Sequence, residues 1–292
     1  MDRIFFGDNQ FFGVNHMSEE KARQQAMRFQ KIEAITDVLQ TALQMGVGGF
    51  MCTTHERIAE VAEQVRAEPK KWEGFRFYPG MPYAHKYANA VTELGYFDAL
   101  KQFLPSGNFI DTMMRGTKAV FSKDVESVIT LLIDAEMKMF QGLETPIVFL
   151  QNVVTDLILG LGYNDAFRIF SDHIRKKYNA EAGFITMNLP LLLDALGEAG
   201  LSNPIVCANY NKIAFRMSGG IEGYRRALAD HPARVIAMSV LASGAIPARE
   251  AIEWIVNEPH VESILFGASS RTNIETTVRL IHECDSRRAK AA

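Results

Sequence analysis

Val261-Glu-Ser-Ile-Leu-Phe-Gly-Ala-Ser-Ser-Arg-Thr-Asn-Ile-Glu275 joins a short apolar run to a glycine, two serines, an arginine and an asparagine. Ile274, Thr277, Val278 and Ile281 then recur at the spacing of one helix face. A buried strand that turns directly into a helix reads this way. Its junction collects backbone N–H groups, hydroxyls and a cation at the positive end of the helix, where an anion is favoured. The bland alternative is simple capping of that helix by Ser269, Ser270 or Asn273.

The same alternation extends back along the chain. Short apolar runs begin near Ile4, Gly49, Phe75, Ile147, Gly183, Ile205, Val235 and Ser263, and helical patterns separate them. One such helix carries Ile32, Ile35, Leu39, Ala42 and Leu43 on a single stripe and stops at Gly46. Eight parallel strands are the number that closes a (β/α)8 barrel. The expected fold is therefore α/β, a TIM barrel formed by residues 1–292 as one domain. Spacing between strands is regular except over residues 84–145, which predict a helical insertion after the third strand, above the mouth.

Composition narrows the function classes. The chain has 292 residues, 48% of them hydrophobic, and a net charge of −3 spread without a basic face. This excludes the electrostatic footprint of a nucleic-acid binder. No apolar run approaches the ~20 residues of a membrane span, and Met1-Asp2-Arg3 runs directly into the first strand, so a cytoplasmic protein with a small-molecule substrate is expected. Cys52, Cys207 and Cys284 are odd in number and far apart, the pattern of buried thiols rather than of a disulfide framework. No His-x-His or His-Glu-x-x-His pair announces a metal.

In a barrel of this kind the chemistry sits at the carboxyl ends of the strands. Those ends are rich in amides and imidazoles: Asp8, Asn9, Gln10, Asn15 and His16 after the first, His55 and Glu56 after the second, Tyr83, His85 and Lys86 after the third. Gln151 and Asn152 follow the fourth, Asn188 the fifth, Asn209, Asn211 and Lys212 the sixth, and Ser239 and Ser243 the seventh. Each asparagine alone reads as a cap or turn residue. Together at one rim they point to hydrogen bonding with a polar ligand, with Asn9, Asn15, His16, His85, Gln151, Asn152, Asn188 and Asn209 as substrate contacts.

Four segments resemble the aldo-keto reductase superfamily. Val261–Glu275 is similar to its eighth strand and the start of its cofactor-binding helix, and Val235-Ile-Ala-Met-Ser-Val-Leu-Ala-Ser-Gly244 to its seventh strand and loop. Pro204-Ile-Val-Cys-Ala-Asn-Tyr-Asn211 and Ala42-Leu-Gln-Met-Gly-Val-Gly-Gly-Phe50 resemble the sixth strand and the approach to the second. The resemblance implies a nicotinamide cofactor, NADP, with Gly267, Ser269, Ser270, Arg271, Asn273 and Ser239 at its phosphates. It also implies a tetrad of Asp, Tyr, Lys and His, and here the pattern fails. Met51 stands at the Asp position and Glu56 at the Tyr position, no lysine follows the third strand at the expected place, and the fourth ends in Gln151-Asn152. Glu56, His55, Tyr83 and Lys86 are the candidate catalytic residues, with burial beside Phe50 and Met51 expected to raise Glu56 toward working pH. A non-standard oxidoreductase leads. The alternatives are a redox-neutral lyase or isomerase acting on a phosphorylated or nucleotide-like ligand, and a catalytically silent binding barrel.

Overall fold

The computed structural model describes residues 1–13, 18–83 and 129–291. Its strands are β1 (Ile4–Gly7), β2 (Gly49–Thr53), β3 (Arg76–Met81), β4 (Ile147–Leu150), β5 (Glu181–Thr186), β6 (Ile205–Asn209), β7 (Arg234–Met238) and β8 (Val261–Phe266). All eight pair in parallel, each with its sequence neighbour, and β8 closes on β1 with Phe5 opposite Leu265. The helices are α1 (Glu19–Arg28), α2 (Ile32–Gln44), α3 (Glu56–Ala67), α4 (residues 129–137), α5 (Asn152–Leu161), α6 (Asp165–His173), α7 (Leu189–Glu198), α8 (Gly220–Asp230), α9 (Ala248–Val256) and α10 (Arg271–Ala291). None among the described residues is long and apolar enough to cross a membrane.

Strands that are apolar on both faces build two cores. One lies between sheet and helices, with Phe50, Phe77, Val148, Phe184, Val206 and Val235 outermost on their strands. The other fills the barrel with Phe5, Met51, Tyr78, Phe149, Cys207 and Ile236. Gly183 is required there, because a β-carbon on it would lie 2.3 Å from Phe149 Cε1. Cys52, Cys207 and Cys284 are free and buried.

The amino end of the barrel is held by charge. Asp2 accepts from Arg76 and from the Tyr78 hydroxyl, and Arg234 pairs with Glu181 at 2.8 Å and Glu262 at 3.5 Å. These polar residues explain why β5, β7 and β8 start one or two residues before their apolar runs. Of the expected insertion over 84–145, residues 84–128 lie outside the described residues. Its end comprises α4 and a 3-10 turn at Lys138–Phe140 that feeds β4.

Candidate active site

Gly7 ends β1, and Asn9–Phe12 turn at once into a 3-10 helix that buries Asp8, Gln10 and Phe11 while leaving Asn9 exposed. The Asp8 carboxylate reaches the next strand, where Oδ2 accepts from Thr53 N and from Thr53 Oγ1, each at 2.7 Å. Burial is the main influence on this carboxyl and raises it above its ordinary range, the Thr53 bonds opposing. Asp8 thus brings a carboxylate to the end of β2 from a neighbouring strand, while Met51, opposite Gly7, points into the apolar barrel.

His55 caps α3. Its Nδ1 accepts from Arg57 N at 3.1 Å, so the neutral ring carries its hydrogen on Nε2. The imidazole stacks on Phe12 with centroids 4.2 Å apart and stands 5.8 Å from the Tyr83 ring. Burial and then the Arg57 charge lower its pKa, although Glu56 and Glu60 pull the other way. Tyr83 is half-buried, and desolvation followed by the charge of Asp8 raises its hydroxyl. Its backbone N–H donates to Glu136 at 3.1 Å, and the same buried carboxylate accepts from Thr54 Oγ1 at 2.5 Å. The end of α4 therefore ties the ends of β2 and β3 together.

Glu56 is the first residue of α3 and is exposed, so the burial expected to raise it is not found. Asn15, His16, His85 and Lys86 lie outside the described residues. Among the described residues no group of three or more His, Cys, Asp and Glu is placed to hold a metal.

The rim amides serve mainly their own loops. Asn188 caps α7 by accepting from Leu191 N at 3.4 Å, and the Asn209 amide donates to Arg216 O at 3.0 Å and to Met187 Sδ at 2.9 Å. Asn211 both donates to Phe215 O and accepts from Phe215 N, and Lys212 pairs with Glu250 at 2.7 Å. Gln151, buried, is the residue before α5, and Asn152 opens that helix half-buried.

At β8, Ser270 Oγ accepts from Asn273 N at 3.3 Å, so Ser270 caps α10. Arg271 and Asn273 are exposed, with Arg271 paired to Glu275 at 2.6 Å, and Ser269 is half-exposed. Gly267 leaves room for the Gln10 amide: a β-carbon there would meet Gln10 Oε1 at 2.3 Å. The loop after β7 holds Ser239, Ala242 and Ser243 at φ of 54°, 47° and 57°, left-handed conformations that non-glycine residues adopt mainly where function or packing demands it. No acidic side chain occupies the first turn of α10. This donor-rich set fits the phosphates of a dinucleotide.

Sequence reasoning reached Asp8 as a polar residue of the rim and did not reach Thr53 or Glu136. The doublet Thr53-Thr54 was the available signal, since adjacent hydroxyls on a strand end face two different neighbours.

The architecture matches solved barrels. The putative aldo-keto reductase PA4992 from Pseudomonas aeruginosa aligns with a TM-score of 0.62 at 12% identity, over 97% of this chain and 90% of that one. MGS-M4, an aldo-keto reductase enzyme from a Medee basin deep-sea metagenome library, aligns with a TM-score of 0.56 at 11% identity, over 98% and 92%. No family model and no curated protein matches the sequence.

Proposed function

We propose that this chain, a barrel folded as the aldo-keto reductases are, is an oxidoreductase interconverting a carbonyl and an alcohol on a polar small molecule with NADP. The observation that carries the reading is the cluster of Asp8, His55 and Tyr83 at the ends of β1, β2 and β3. It gathers two neutral hydrogen-bond donors and a buried carboxyl where the usual tetrad residues are missing.

Ser239, Gly267, Ser269, Ser270, Arg271 and Asn273 would hold the dinucleotide's phosphates, and the bound nicotinamide supplies or accepts the hydride. The chain's own residues manage the oxygen. His55 is kept neutral by its lowered pKa and offers Nε2–H to the carbonyl oxygen. Tyr83 keeps its proton at neutral pH and gives it up only as the far more basic alkoxide develops. The charge on Asp8 disfavours the phenolate left behind, so the hydroxyl is promptly reprotonated. Glu136 fixes the Tyr83 backbone that this geometry depends on.

Fluorescence titration with NADPH, followed by turnover of a panel of carbonyl compounds, tests the reading. Tyr83→Phe is expected to slow turnover by about 100-fold or more, the scale of a positioned proton-transfer group, and to leave NADPH affinity unchanged. Failure to bind NADPH would refute the proposal and move the chain to redox-neutral chemistry. Tight binding with no turnover would make it a binding barrel.

A further inference from the structure

Gln10 leaves the turn after the first strand and closes on the loop after the eighth. It is 5% exposed, although glutamine is mostly a surface residue whose amide asks for several hydrogen bonds. Its Nε2 donates to Gly7 O at 2.7 Å, which tethers the amide and leaves Oε1 toward Gly267. A β-carbon at Gly267 would have Gln10 Oε1 at 2.3 Å, Cδ at 3.3 Å and Nε2 at 3.8 Å as its nearest neighbours, all from one side chain. Gly267 does not lie in the left-handed region, so backbone conformation does not ask for glycine there. Space does, because the Gln10 amide takes the volume of the missing side chain.

The contact falls at a junction. Gly267 follows β8 at once and leads through Ser269 and Ser270 into α10, so its path sets where the N–H groups and hydroxyls of that loop point. The strands themselves are joined, with Phe6 opposite Phe266 and the two rings edge to face at 5.3 Å. Gln10 carries that pairing past the strand ends to the loop. The stretch around it also brings Asp8 to Thr53 and Phe12 onto His55. From Asp8 to Phe12 the chain thus touches the proposed dinucleotide loop with one side chain and the proposed proton-transfer groups with two others.

We infer that Gln10 is a positioning residue for the dinucleotide: it holds the Gly267 backbone, and through it the donors of Ser269 and Ser270, in the path that receives the phosphates. The inference rests on the oxidoreductase reading above. Backbone donors recognise a phosphate only when they converge on it, and a glycine left to itself is the residue that gives up that convergence most easily. A buried, tethered amide packed against the glycine removes this freedom before the ligand arrives.

A double-mutant cycle on NADPH affinity, read by nucleotide fluorescence, tests the assignment. Gly267→Ala drives a methyl group into the Gln10 amide and should weaken binding by about tenfold or more, the scale of an overfilled site. Gln10→Ala removes the support and should weaken it by about threefold or more. The double variant should bind better than Gly267→Ala alone, because the methyl group then enters the space the amide has left. Gln10→Asn, shorter by one methylene, repeats the cycle should Gln10→Ala fail to fold. Where a carbonyl is turned over, the loss should appear in KM for NADPH while kcat changes by less than about threefold. Affinity in Gln10→Ala within about twofold of the parent, or a double variant as weak as the product of the two single losses, would overturn the inference. A second readout needs no dinucleotide: the amide resonances of Ser269 and Ser270, followed by NMR while inorganic pyrophosphate is added. Gln10→Ala should shift both resonances in the free protein and weaken pyrophosphate binding. If the parent does not bind NADPH, the oxidoreductase reading fails while the pyrophosphate titration still judges Gln10. Unmoved resonances with unchanged pyrophosphate affinity overturn the assignment, and a parent loop that takes neither ligand overturns both.

Discussion

Replacing Asp8 separates its two contributions, hydrogen bonding and charge. The carboxylate is 6% exposed and accepts two bonds of 2.7 Å from Thr53. Asp8→Ala strands the Thr53 N–H, at about 1–3 kcal/mol for an unsatisfied buried donor, and about 1 kcal/mol more for the hydroxyl, giving about 2–4 kcal/mol of lost stability. Asp8→Asn keeps an oxygen toward Thr53 and removes the charge whose desolvation raises the carboxyl, so at neutral pH it should cost less than about 1.5 kcal/mol. The pH dependence has a definite sign. A carboxyl raised in the folded state contributes its full stability below the unfolded value near 3.8 and loses it as pH climbs through the folded value. The advantage of the parent over Asp8→Asn should therefore shrink from pH 4.5 to pH 7.5, by about 1.4 kcal/mol per unit of displacement traversed. Urea unfolding at both pH values, followed by the fluorescence of Trp72 and Trp254, measures it. An equal cost for Asn at the two pH values, or an Ala variant no worse than Asn, would refute the reasoning.

Three further substitutions probe the ends of the sheet. Arg271→Ala should weaken NADPH binding by more than about tenfold, the loss of one charge-assisted contact, while unfolding stability changes by less than about 0.5 kcal/mol because the Arg271–Glu275 pair is largely exposed. Unchanged affinity would return Arg271 to the surface. Glu258 is buried and accepts from the Tyr210 hydroxyl at 2.8 Å and from Arg225 at 2.6 Å. Glu258→Ala should cost about 3 kcal/mol in a urea titration and Tyr210→Phe about 1 kcal/mol, and equal losses would show that the hydroxyl rather than the ion pair dominates.

The barrel was legible because strands covered on both faces must be apolar throughout, and the periodicity of the helices between them is of another kind. What apolarity could not mark were strand ends that satisfy charge locally: Glu181 and Arg234 belong to their strands because they pair with each other across the amino end of the barrel. The rim was legible in residue type and not in direction. Asp8, Asn9 and Gln10 are three consecutive polar residues, and only the 3-10 turn that follows β1 decides that Asp8 and Gln10 go in while Asn9 goes out. The amides of β5 and β6 show the converse. Asn188, Asn209 and Asn211 looked like a ligand's lining as a group, yet each answers a nearby demand for hydrogen bonds from its own loop or a neighbouring one.

Contacts distant in sequence were out of reach for a different reason. Thr54 and Glu136 meet across a sequence separation of 82 residues, and nothing local distinguishes Glu136 from a solvated helix carboxylate. That bond matters to the proposed function because the same carboxylate holds the Tyr83 backbone, making the position of the proposed proton donor depend on how the segment before β4 docks. The proposed site is assembled from three different elements. The carboxylate arrives from β1, the imidazole from the cap of α3 and the hydroxyl from beyond β3, so the cluster depends on the closure of the barrel that brings these three strand ends together, and not on any one stretch of sequence.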